Sequence, residues 1–117
     1  MTHGDIGLTN SNEPLSERYR KLAEKWVDED NAARLLEETK TTVLQERKNK
    51  LVAKDPGMAD AHAERMVKAD PEWREWIEKM VAARTKANLS KVRMRYLEMR
   101  HAEHQSFEAT KRHEMRL

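Results

Sequence analysis

The sequence predicts an all-α protein, an elongated helical hairpin or open coiled coil with a short connecting helix. Three observations predict it. Glu, Lys, Arg, Ala, Leu and Met dominate the composition, and all are good helix formers. Gly and Pro total only six and fall in clusters, so they punctuate the chain rather than break its segments. Aromatic residues make up 5% and Val and Ile are few, which leaves little material for strands. The elongation follows from a second balance. Hydrophobic and charged residues are each 38%, against roughly 45–50% and about 25% in ordinary domains. That apolar surface suffices for one stripe on each of two or three helices, not for a thick core.

Residues 1–15 are polar, carry two glycines and show no periodicity, and are expected to form a disordered tail. The remainder, 16–117, reads as one helical domain. Its first helix spans about 16–53, with Ser16 as N-cap and Leu15 just before it. Leu15, Tyr19, Leu22 and Trp26 repeat at four, three and four residues, an amphipathic stripe. Asp28-Glu-Asp-Asn31 interrupts it. A helix continuous through this run is favoured over a kink, because Ala33, Leu36, Val43 and Leu51 resume the stripe. Asp55-Pro56-Gly57 is a turn signal, with Gly57 free to take a positive φ. A short helix at 58–68 follows, placing Ala59, Ala63, Met66 and Val67 on one face.

Asp70-Pro71-Glu72 reads as N-cap, N1 and N2 of a third helix. No Gly or Pro follows, so it is expected to span 71–116, about 45 residues or ~65–70 Å at 1.5 Å per residue. Such a helix needs a partner helix for stability. At 100° per residue Trp73, Trp76, Ile77, Met80, Ala83 and Ala87 share one face. The apolar stripe then rotates to Val81, Leu89, Val92, Tyr96, Met99 and Phe107. Residues 108–117 have no apolar face and are expected to fray unless held. Trp26, Trp73 and Trp76 are expected to meet in one aromatic cluster when the helices fold back on each other.

Charge is unevenly spread about a net +2. Residues 84–117 hold nine Lys/Arg and four Asp/Glu, while residues 1–83 hold 14 and 17. A basic end of this kind suits a nucleic-acid or acidic partner, or attraction between the two ends themselves. Lys86, Arg93, Arg100 and Lys111 fall within about 40° of one another on a straight helix, and Tyr96 and Phe107 lie beside them. A cation row with interleaved aromatics suits single-stranded nucleic acid, where cations neutralise phosphates and rings stack bases. Arg95 belongs to a second row with Arg84 and Lys91. The competing reading is that these are solvated helix flanks whose stems cover apolar surface.

Several chemistries are excluded or weakly supported. No cysteine is present, so disulfides and thiolate chemistry are ruled out. Glu98-x-x-His101, followed by His104 and Glu108, has the spacing of a dimetal bundle. It occurs once and in a polar stretch, so exposed histidines are favoured and no metal or other cofactor is expected. No Gly-rich phosphate loop, Gly-x-Ser-x-Gly elbow or zinc-protease motif occurs, and enzyme activity is not expected. No apolar run approaches the ~18 residues of a membrane span, and a cytoplasmic location is expected.

Three segments carry a resemblance: Ala32-Ala-Arg-Leu-Leu-Glu-Glu-Thr-Lys40, Ala69-Asp-Pro-Glu-Trp73 and Lys91-Val-Arg-Met-Arg-Tyr-Leu-Glu-Met-Arg100. Over roughly residues 32–116 the layout resembles small helical recombination-accessory proteins of phages and prophages and, more distantly, the recombination mediator of T-even phages. The resemblance implies a non-enzymatic accessory that binds single-stranded DNA, a recombinase, or both, and that forms homo-oligomers. Arg93, Arg95 and Arg100 are the positions it transfers. With Lys86, Lys111 and Tyr96 they make up the expected nucleic-acid site. The alternative is a helical protein-interaction module, an inhibitor or adaptor acting on a host defence protein, for example, with no nucleic-acid role. The apolar edge of the last helix, left with too little of its own chain to cover it, independently favours an oligomer.

Overall fold

The computed structural model describes residues 13–116, and the expected tail lies outside them up to residue 12. Among the described residues the protein is all-α, with three helices and no strand: α1 Leu15–Lys54, α2 Asp60–Ala69 and α3 Pro71–Arg116. α1 begins one residue earlier than its expected Ser16 cap. The backbone N–H groups of Glu17 and Arg18 both donate to the Pro14 carbonyl at 3.1 Å, so Pro14 closes the first turn. Met58 N–H donates to the Asp55 carbonyl at 3.0 Å and makes the turn after α1. Gly57 does not use the left-handed backbone expected of it. Asp70 serves two helices. Its N–H donates to Val67 and ends α2, while its carboxylate accepts the Glu72 N–H at 2.9 Å and caps α3.

The helices divide into two compact units, and α1 and α3 contribute to both. In the unit formed by Glu29–Lys86, the second part of α1 runs antiparallel to the start of α3, with α2 alongside. Its apolar centre holds Ala33, Ala63, Val67 and Trp73. Trp73 and Trp76 stack with centroids 5.6 Å apart, and the Arg47 guanidinium lies 5.8 Å over Trp73. Lys48 is buried on α1 and reaches Asp60 of α2 at 2.8 Å, which ties the short helix down.

The acidic run Asp28-Glu-Asp-Asn31 does not break α1. The reason lies on α3. Arg84 donates to Asp30 at 2.7 Å and to both Glu37 oxygens at 2.8 Å, and Arg34 takes the other Asp30 oxygen at 3.0 Å. A carboxylate facing the helix partner is tolerable when it is paired and hydrogen-bonded. The Arg84 hydrogen bonds hold the Glu37 carboxyl below the usual carboxylate range. A depressed folded pKa contributes stability above the unfolded value, about 4.3, and loses it as pH falls through the folded value. The melting temperature is therefore expected to fall on acidification below about pH 4.3. A Glu37→Gln variant should show a smaller fall in that window, and an identical pH profile would rule the contribution out.

In the other unit, the described residues up to Asp28 pack antiparallel to α3 from Ala87 onward. Leu22, Ala87, Ser90 and Leu97 are buried there. Tyr19 OH donates to Glu98 at 2.6 Å, and Lys91 lies 5.8 Å over the Trp26 ring. Trp26 thus takes a cation as its neighbour and sits in a different unit from the stacked Trp73–Trp76 pair, in place of the single cluster expected. α3 is helical to Arg116, the expected end of the helix, with residues 109–116 all exposed.

Buried and half-buried positions of α3 recur every seven residues. Trp73, Met80, Ala87 and Met94 form one series, and Trp76, Ala83, Ser90 and Leu97 the other. A straight helix of 3.6 residues per turn drifts about 20° per heptad from such a repeat, whereas paired helices keep it. The stripe expected beyond Ala87 followed the larger side chains instead, and these lie on the opposite side of α3 from this repeat. Val81, Leu89, Val92, Tyr96, Met99 and Phe107 are all exposed.

Candidate docking face on the third helix

The unit containing Ala87 onward leaves a second apolar face on α3. Leu89, Val92, Tyr96 and Met99 follow one another at three, four and three residues, and Phe107 extends the line. These five side chains fall within an arc of about 80° at 100° per residue. They are 48–64% exposed. Scattered exposed apolar residues are ordinary, but a contiguous line at helical spacing marks an interaction surface. α3 therefore carries two seams. The one lined by Ala87, Ser90, Met94 and Leu97 faces α1, and the one lined by Leu89, Val92, Tyr96 and Met99 faces outward.

Cations flank the outward seam. Arg93, Arg100 and Lys111 lie along one edge, and Arg95 along the other. Among the described residues no carboxylate forms an ion pair with any of these four. Arg100 instead lies 5.9 Å over the Tyr96 ring and donates to the Tyr96 hydroxyl at 3.3 Å. This contact raises the already high Arg100 pKa, so the charge is permanent. It also places a guanidinium on one face of the only aromatic ring in the middle of the seam.

Not every expected site residue belongs here. Lys86 lies in the other unit, where its ammonium is 3.9 Å from the buried Glu29 carboxylate. Of the second row, Arg84 is committed to Asp30 and Glu37, and Lys91 to the Trp26 ring. Arg95 alone in that row is left with open donors. Arg93 is half-buried and Arg100 exposed. The sequence reading missed the pairing of Lys86 because Glu29 is 57 residues away in the chain.

His101 and His104 continue the inward seam beyond Leu97 and line an open groove of about 260 Å³ with Leu15, Arg18 and Arg100. Among the described residues, no group of three or more His, Asp or Glu is placed to hold a metal ion. In the other unit a groove of about 380 Å³ lies between the end of α1, α2 and the start of α3, with Arg47, Lys50 and Lys54 on its α1 wall. No described helix is long and apolar enough to cross a membrane. No protein-family model, curated protein or solved structure matches this chain.

Proposed function

We propose that the chain is a non-enzymatic protein-interaction module that docks a helix of another protein on the outward seam of α3. One observation carries this reading: Leu89, Val92, Tyr96 and Met99 are large, exposed and at the three-and-four spacing of a helix-pairing seam, with the exposed Phe107 eight residues further on. Three of the five are aliphatic or thioether side chains. Such groups gain by packing against apolar side chains and offer a nucleic-acid base no ring to stack on. Burying a Val, Leu or Met side chain fully is worth about 1.5–3 kcal/mol, so even partial coverage of the line can hold a partner.

A second reading is kept, binding of single-stranded DNA by a recombination accessory. What favours it is the set Arg93, Arg95, Arg100 and Lys111, which forms no ion pair among the described residues. Weighed against it is Tyr96, whose ring already carries Arg100. Photo-cross-linking separates the two. A cross-linking residue placed at Met99 in the source cell is expected to yield nuclease-resistant protein adducts, while the same residue at the exposed Arg74 yields none. Adducts at Met99 that disappear on nuclease treatment would transfer the site to nucleic acid.

A further inference from the structure

We infer that the partner on the outward seam is an acidic amphipathic helix, and not a second copy of this chain. The inference rests on the docking reading above and concerns what the seam's flanks select. Numbered as a helix-pairing repeat, Leu89 and Tyr96 take one core position and Val92 and Met99 the other. Arg93 and Arg100 then stand immediately after the second core position of successive heptads, and Arg95 immediately before Tyr96. These are the positions that meet the partner helix across the rim and set partner choice and orientation.

Every charged side chain at those rim positions between Leu89 and Met99, and at the next one after it, is an arginine. A parallel pair of identical α3 helices would set Arg95 of one copy against Arg100 of the other. An antiparallel pair would set Arg93 against Arg100. Either arrangement brings like charges together as water is excluded, which costs binding and disfavours that partner. Locally the chain supplies one carboxylate, Glu103, three residues after Arg100, which acts on it through space without forming an ion pair. Glu98 accepts the Tyr19 hydroxyl on the inward side, and none of Arg93, Arg95 or Arg100 has a carboxylate within ion-pair distance among the described residues.

A helix with an apolar stripe flanked by Glu or Asp satisfies both features at once. Its stripe covers Leu89, Val92, Tyr96 and Met99, and its carboxylates meet guanidiniums whose planar donors accept a carboxylate two-pronged. Arg100 can do so while it stays beside Tyr96, because the Tyr96 hydroxyl engages only Nη1. The rim therefore supplies orientation and selectivity, and the seam supplies most of the affinity.

The test uses the full chain and two synthetic helical peptides that share one Leu-rich heptad stripe, one flanked by Glu and the other by Lys. Binding is followed by fluorescence anisotropy, with an oligothymidine of similar charge as a third probe and the mass of the free chain measured by sedimentation. The Glu-flanked peptide is expected to bind at least about tenfold more tightly than the Lys-flanked one, and less tightly as salt rises. Arg93→Glu with Arg100→Glu should invert that preference. Val92→Asp with Met99→Asp should abolish binding of both peptides while the circular dichroism stays unchanged, since both side chains are exposed. Equal binding of the two peptides would leave the docking face standing and remove the acidic selection. Binding of neither would remove the docking reading as well. A dimer of the free chain that Val92→Asp with Met99→Asp dissociates would put a second copy on the face. Tight oligothymidine binding that survives that pair of substitutions would assign the arginines to nucleic acid.

Discussion

Replacing Trp73 with alanine is expected to lower the unfolding free energy by about 3–5 kcal/mol, the largest effect of any single substitution in this chain. Trp73 is 6% exposed in a unit whose apolar centre otherwise consists mostly of small side chains, Ala33, Ala63 and Val67. A buried tryptophan removes roughly 150–250 Å² from water, and the other buried side chains of this unit's apolar centre are too small to refill its place. The substitution also ends the stack on Trp76 and the Arg47 contact over the ring. Typical domains are stable by only about 5–15 kcal/mol, so a loss of this size should be plain in urea titrations followed by circular dichroism. Trp76→Ala should cost less, because Trp76 is only half-buried. A Trp73→Ala loss below about 1 kcal/mol would mean that the unit's core lies elsewhere.

The second large effect separates the two faces of α3. Leu97→Ala is expected to cost about 2–3 kcal/mol, the low end of the usual Leu→Ala range, since the core here is one seam deep. Leu89→Ala, eight residues earlier on the same helix, should stay within about 0.5 kcal/mol. The side chains are identical, and only their burial differs, 5% for Leu97 against 50% for Leu89. The opposite result would exchange the inward and outward faces and take the docking surface with it. The pair of measurements is therefore also a functional control. Substitutions on the outward seam can report on binding only if that seam does not hold the fold.

Where the sequence reading and the structure part company, the cause is the same in each case. Helix propensity, the Asp70-Pro71 cap and the Asp55-Pro56-Gly57 turn are local signals, and they located α3 and the turn before α2 closely. The continuity of α1 through Asp28-Glu-Asp-Asn31 was expected and is observed, but the ion pairs that accommodate the run, like the aromatic contacts, depend on residues far away in the chain. Arg84, which keeps Asp30 paired, and Lys91, which covers Trp26, each come from α3 and act on α1. The apolar line on α3 was visible as a pattern. The expectation that α3 has an apolar edge its own chain cannot cover agrees with the exposure of Leu89, Val92, Tyr96, Met99 and Phe107.

The sequence by itself determined that this chain is helical, where its helices start and stop, that it carries an unevenly basic α3, and that α3 bears more apolar positions than one partner helix needs. Those properties follow from propensity, capping and periodicity, each set within a few residues. Only the tertiary structure decided which of the two α3 seams is covered. Pairing of the helices imposes a seven-residue repeat, and that repeat selects Trp73, Met80, Ala87 and Met94 with Trp76, Ala83, Ser90 and Leu97. Ala87 and Ser90 lie in that repeat and are covered, whereas the larger Leu89, Val92 and Met99 fall outside it and remain open, with Arg93, Arg95 and Arg100 on their rim.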